Sequence, residues 1–252
     1  MLRTRIRTIK SHGARAGLLG LAGLAAACAH PGQSIEPRAT DPHYTEAGFF
    51  DMHVCHWPDR PVFFMFVLST ARYQDIERVS VSYPDGRLLA DLDLERYRII
   101  NRPGKPEKRV FITQLPLPAG APHGWYHADI TLRNGTTYRA RDRVAIRILP
   151  LAAGQVPPNS TAEIAPPAAL RWEPVPGATH YQVYIKDMWD GGQEIFSSKV
   201  LTAPQLVLPP DLLKPGGYYR WRVNARDVHE HPELGDFNHG SLSEEVELVV
   251  AE

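Results

Sequence analysis

Cysteine is almost missing from this chain: its 252 residues contain two, Cys28 and Cys55. A small scaffold knit by disulfides is thereby excluded, so any folded body must be held by apolar cores. Helical periodicity is missing too. No stretch beyond the N-terminus repeats its apolar residues every 3.6 positions, which argues against helical bundles and coiled coils. Nor does the sequence contain Gly-x-Ser-x-Gly, a Walker A loop, the glycine pattern of dinucleotide binding or His-Glu-x-x-His. Each of those motifs marks a reaction class, and none is indicated. The expectation is a protein that is not an enzyme and carries no cofactor, even though triads are assembled in space and need no motif.

Proline, by contrast, is plentiful at 23 residues. It clusters between strand-like segments, the habit of a loop-rich β protein. Hydrophobic residues at 43% suit a folded domain. The net charge of zero hides an uneven distribution: residues 1–27 hold five basic residues and no acid, leaving 23 basic against 28 acidic residues in the remainder. A mildly acidic body has no electrostatic reason to seek nucleic acid or anionic lipid, and neither is expected as a partner.

The N-terminus reads as an address. Arg3, Arg5, Arg7, Lys10 and Arg15 precede an apolar run over residues 16–27. That run is too short to span a bilayer comfortably and has the order of a secretory signal peptide, residues 1–27. Ala25-Ala26-Ala27-Cys28 resembles the lipobox of bacterial lipoproteins, with Ala25 standing where leucine is usual. The resemblance implies cleavage before Cys28 and a membrane anchor through lipid on that cysteine. Ala29 is not the aspartate that holds such proteins at the inner membrane, so the resemblance implies an outer-membrane lipoprotein facing the periplasm or the cell surface. Residues 28–45 read as a polar tether. With Cys28 acylated, Cys55 has no intramolecular partner.

The C-terminal region, 166–252, alternates apolar and polar residues in several places. Leu170 and Trp172 bracket Arg171; Tyr181, Val183 and Ile185 share one face; Tyr219, Trp221, Val223 and Ala225 share another; Val246, Leu248 and Val250 close the domain. Together with Pro176-Gly177-Ala178 and Leu213-Lys214-Pro215, these positions resemble a fibronectin type III domain over about 85 residues. The resemblance implies that Trp172 is a core tryptophan and that Tyr219 is a tyrosine corner, its hydroxyl bonded to upstream backbone. It speaks to fold and hardly to function.

Residues 46–150 follow the same grammar and read as an immunoglobulin-like sandwich. The apolar run 62–68 suits a strand buried on both faces. Val79-Ser80-Val81 alternates up to the turn Pro84-Asp85-Gly86. Two strands meet at Asn134-Gly135, read as a two-residue hairpin turn. Residues 151–165, rich in proline and polar residues, read as a linker. The expected fold class is therefore all-β, with two immunoglobulin-like or fibronectin type III-like sandwiches in tandem.

Candidate site residues fall in three places. His53, Cys55 and His56 mix imidazole and thiol, donors that suit copper or zinc. An extended strand puts His56 on the opposite face from the other two, so a packed cysteine with edge histidines is the simpler reading. Residues 226–240 make a long connection containing His229, His231, Phe237 and His239; it reads as a partner-binding loop, a weaker cation site or a solvated loop with Phe237 folded back. Met188-Trp189 at a strand end is a candidate contact anchor. Asp91, Asp93 and Glu95 alternate with leucines and read as a strand with one wet face rather than calcium ligands.

The leading expectation is a cell-envelope lipoprotein that binds other envelope proteins, as accessory subunit of a larger assembly, through Met188, Trp189, His229, His231, Phe237 and His239. One alternative is a carbohydrate- or peptidoglycan-binding module using Trp125 and Trp189. A second is a periplasmic metal-binding protein using His53, Cys55, His229, His231 and His239.

Overall fold

A computed structural model describes residues 40–151, 169–227 and 237–251. Cys28, His229, His231 and most of the tether and linker lie outside the described residues. Every described element is a strand, and among the described residues no helix is long and apolar enough to cross a membrane.

Nine strands come from the first half: β1 (Tyr44–Thr45), β2 (Gly48–His56), β3 (Phe63–Thr70), β4 (Ile76–Ser82), β5 (Leu88–Asp91), β6 (Tyr97–Ile100), β7 (Lys108–Pro116), β8 (Gly124–Leu132) and β9 (Thr137–Val144). The sheet β5-β4-β8-β9 faces a second layer, β2-β3-β7-β6. Period-two patterning fills the space between them. Phe50, Met52 and Val54 from β2, Phe64, Phe66 and Leu68 from β3, and Tyr126, Ala128, Ile130 and Leu132 from β8 form one buried cluster. Burying each large apolar side chain contributes about 1.5–3 kcal/mol. Tyr126 also donates its hydroxyl to the Pro122 carbonyl at 2.7 Å, and burial pushes that phenol's pKa up to about 12.

Three sequence expectations change here. The run 62–68 is not buried on both faces: in β3 Met65 and Val67 are only half-buried, while Phe64, Phe66 and Leu68 line the core. The wet strand expected over 91–95 ends at Asp91, and Leu92 turns into the core. The Asn134-Gly135 turn has three residues, not two. Leu132 N–H donates to Thr136 O at 2.8 Å, enclosing 133–135, with Gly135 at a φ of 84° that a side chain would resist.

Seven further strands follow: β10 (Ala169–Arg171), β11 (His180–Asp187), β12 (Gln193–Ser197), β13 (Gln205–Val207), β14 (Tyr218–Arg226), β15 (His239–Leu242) and β16 (Val246–Val249). β10 and β13 pair as a small sheet; β12-β11-β14 with β15 and β16 form the opposing layer. Trp172 stacks edge-on against Tyr181 at 5.5 Å and lies 6.4 Å from Trp221, at the centre of the second cluster. Tyr219 behaves as a tyrosine corner should. Its hydroxyl accepts the Lys214 N–H at 2.9 Å, and its ring lies over Gly217, where an added Cβ would meet ring atoms at 2.4–2.7 Å.

The two sandwiches are joined along one edge. β15 pairs in parallel with β2, matching His239 with Val54, Gly240 with Cys55 and Ser241 with His56. One sheet therefore runs β12-β11-β14-β15-β2-β3-β7-β6, through both hydrophobic clusters.

Candidate functional site

β11 ends at Asp187, whose carboxylate accepts the N–H groups of Trp189 at 2.9 Å and Asp190 at 3.3 Å. This local turn, closed by Gly191-Gly192, prevents β11 from continuing and lifts Trp189 out of the sheet. Trp189 is 74% exposed, the most exposed large hydrophobic among the described residues, and its ring stands edge-on to Tyr218 at 6.1 Å.

Tyr218 begins the outward row of β14. Because Tyr219, Trp221 and Val223 face the core, Tyr218, Arg220 and Arg222 face away from it. The same parity on β16 turns Glu247 outward opposite Arg220. Arg220 reaches Glu247 at 3.2 Å, and Tyr218 donates to the same carboxylate at 2.5 Å. Those bonds, the tyrosine's above the arginine's, hold the Glu247 carboxyl below its ordinary range. Glu245 collects Lys186 at 2.5 Å, Arg220 at 3.9 Å and Arg222 at 4.0 Å.

This charged row forms one wall of an open groove of about 780 Å³. The other wall comes from the first half of the chain, at residues 57–60. There Trp57 packs edge-on against Phe63 at 5.1 Å, and Arg60 lies 4.9 Å over the Trp57 ring while bonding Asp59 and Gln114. The groove offers interleaved charges of both signs with an aromatic at one wall and Trp189 beside the other. Such a lining suits a polar segment of a protein, since an apolar ligand would strand several charges out of water.

Among the described candidates, His53, Cys55, His56 and His239 occupy a different place, the seam where β15 meets β2. His53 and Cys55 share the outer face of β2, and His56 points the other way to donate from Nδ1 to Leu149 O at 2.9 Å. His53 donates to Asp51 at 2.5 Å and sits edge-on to Phe237 at 6.4 Å. Burial alone would lower its pKa, but the Asp51 charge and hydrogen bond, helped by Cys55, raise it from 6.5 to about 10. His239 is bonded at Nδ1 to Asp227 and at Nε2 to Ala145 O at 2.6 Å. Burial works to raise the Asp227 carboxyl, yet His239 and Arg147 hold it below its ordinary range. Among the described residues no three His, Cys, Asp or Glu side chains gather to hold a metal ion.

Phe237 and His239 are thus buried, at 3% and 2% exposure, and Phe237 packs between His53 and the Arg226 guanidinium 4.4 Å away. Trp189 lies at the other end of the β11–β14 ladder, which pairs Asp187 with Tyr219 at one end and His180 with Arg226 at the other. Of the residues grouped in sequence as one partner-facing set, the described ones therefore divide between opposite ends of a sheet, Met188 and Trp189 at one and Phe237 and His239 at the other. Met188 is half-buried. Sequence reading missed Trp57, Arg60, Tyr218, Arg220, Glu245 and Glu247. A signal existed: once Tyr219-x-Trp221 and Val246-x-Leu248 face the core, Arg220-x-Arg222 and Glu245-x-Glu247 must face out with opposite charges.

No protein-family model matches the chain, and no curated protein does. Among solved structures it aligns with the IG1 and IG2 domains of DIP-gamma over 81% of its length and 96% of theirs, at 12% identity and a TM-score of 0.25. It aligns with consecutive domains of titin over 79% of its length and 62% of theirs, at 12% identity and a TM-score of 0.26. Alignment with PorU from Porphyromonas gingivalis covers 81% of this chain and 20% of that one, at 14% identity and a TM-score of 0.27. Values this low assign neither a family nor an activity. The layers and cores described above define the chain as all-β, built of immunoglobulin-type sandwiches.

Proposed function

We propose that this chain is a non-enzymatic cell-envelope lipoprotein, anchored by lipid on Cys28, that binds a partner protein in the groove between residues 57–60 and the β14–β16 wall. The observation that carries this reading is Trp189, held 74% exposed by the Asp187 turn and backed by Tyr218 next to the charged row. Exposed tryptophan and arginine beside a polar rim are the composition of binding hot spots. The partner is an envelope protein, and the chain serves as accessory subunit of an assembly.

The test is affinity capture from crosslinked, detergent-solubilised envelopes, comparing the native chain with Trp189→Ala, Glu245→Arg and the untethered Cys28→Ala. A defined set of envelope proteins that is lost with Trp189→Ala and reduced with Cys28→Ala supports the reading. Recovery of the same set with both groove variants removes the groove from it. Retention of the chain on purified polysaccharide, with no protein recovered, replaces it with glycan binding.

A further inference from the structure

The outward face of the sheet β5-β4-β8-β9 carries a charge pattern that the near-neutral composition conceals. β9 reads Thr-Tyr-Arg-Ala-Arg-Asp-Arg-Val, and its burial alternates so that Arg139, Arg141 and Arg143 all point to solvent. Across the ladder they stand opposite Asp129, His127 and Trp125, with Arg78 exposed on β4 beyond.

The three arginines are not equivalent. Arg139 is neutralised by a two-pronged bond to Asp129, at 2.6 and 2.8 Å. Arg141 is held instead by the Trp125 ring, 4.7 Å from its guanidinium. Stacking fixes the plane of the fork and leaves its N–H groups unspent. Neither Arg141 nor Arg143 nor Arg78 makes an ion pair or side-chain hydrogen bond among the described residues. Beside them the buried Nδ1 of His127 has no hydrogen-bond partner. An unneutralised pair of exposed guanidinium groups, one of them fixed by stacking, is an arrangement that an anion completes.

Spacing selects the anion. Alternate residues of an extended strand are separated by about 6.8 Å. A second extended chain laid along β9 repeats at the same interval, so carboxylates two residues apart meet Arg141 and Arg143 in register. The guanidinium fork matches a planar carboxylate in two-pronged fashion. The row also has an end, because a third carboxylate would meet Asp129 at Arg139. A continuous anionic surface has no such period and no such end.

We propose that this face is a docking site for an extended acidic segment of a protein, with carboxylates at positions i and i+2 bound by Arg141 and Arg143. It lies on the first half of the chain and stands independently of the Trp189 groove. Arg141 and Arg143 are the contact residues, and Trp125 is a positioning residue that acts through Arg141.

The test uses the detergent-solubilised full chain and two fluorescent nonapeptides of identical composition, one with two glutamates separated by a serine, the other with the glutamates at opposite ends. The expected result is about tenfold tighter binding of the first peptide, weakened by salt. Arg141→Gln and Arg143→Gln abolish that preference with an unchanged thermal midpoint, Trp125→Leu reduces it, and Trp189→Ala leaves it intact. Equal affinity for the two peptides overturns the proposal, as does a preference that survives both arginine variants. Absence of peptide binding overturns it equally. So does binding confined to vesicles of phosphatidylcholine and phosphatidylglycerol, which assigns the face to a membrane.

Discussion

Tyr219 and Gly217 act as one unit. The ring must lie flat over the glycine for the hydroxyl to reach Lys214 N–H, and any Cβ at 217 collides with it. Tyr219→Phe is expected to cost about 1 kcal/mol, the net worth of one hydrogen bond. Gly217→Ala is expected to cost about 1–3 kcal/mol through overpacking. In a double-mutant cycle by urea unfolding the two losses fall short of additivity, because each abolishes the same contact. The resemblance to fibronectin type III domains made Tyr219 legible in sequence. The equivalent bond of Tyr126 was not, since nothing local marks the Pro122 carbonyl as its acceptor. Nor was the His53–Asp51 pair legible as a strong one. Alternation puts both on one face of β2, but the Phe237 ring that packs against His53 there comes from the far end of the chain. His53 and Asp227, both at the seam, also set opposite limbs of the stability curve. His53 binds its proton more tightly when folded, so its contribution is complete below pH 6.5 and is lost as pH rises through about 10. Asp227 is depressed when folded, so its contribution is present above the ordinary carboxyl range and is lost as pH falls through its lowered value. Thermal midpoints measured across pH should show His53→Gln flattening the alkaline limb alone and Asp227→Asn the acid limb alone.

At the level of elements, β15 decides how the chain is organised. His-Gly-Ser-Leu has neither the alternation nor the β-branched content of a strand, and no sequence pattern announces a parallel partner so far away. The long strands were legible because one apolar face per strand suffices to specify them. β15 owes its form to what surrounds it: β2 on one side, β14 on the other, Ser241 donating to Pro150 O at 2.7 Å and His239 bridging Asp227 and Ala145. Cys55 reports on this contact, being 3% exposed with Gly240 as its register partner. A thiol reagent should modify Cys55 slowly in the intact chain. His239→Ala should accelerate the reaction at least tenfold, the equivalent of about 1.4 kcal/mol off the opening free energy. An unchanged rate would mean that the seam does not open locally before the thiol reacts.

For the whole molecule, a shared sheet couples two cores that the sequence presents as beads on a string. Calorimetry should record one unfolding transition rather than two, with calorimetric and van't Hoff enthalpies in agreement. A fragment of residues 40–151 should behave differently from the intact chain, because it bares the edge of β2. Light scattering is expected to find it self-associated through that edge. The groove has the same origin, since its walls come from both halves and neither half contains it alone. This is why Trp189 was legible as an exposed anchor while the groove beside it was not. The route of the chain has a further consequence. The first sandwich is grasped by β15, which follows the linker and most of the second sandwich, so the covalent crossing and the hydrogen-bonded crossing are separate attachments. A protease site engineered between residues 152 and 168 would sever the first and leave the second. The nicked protein should elute as one particle and come apart only under denaturant, which makes the chain divisible into two complementing pieces whose reunion rebuilds the groove.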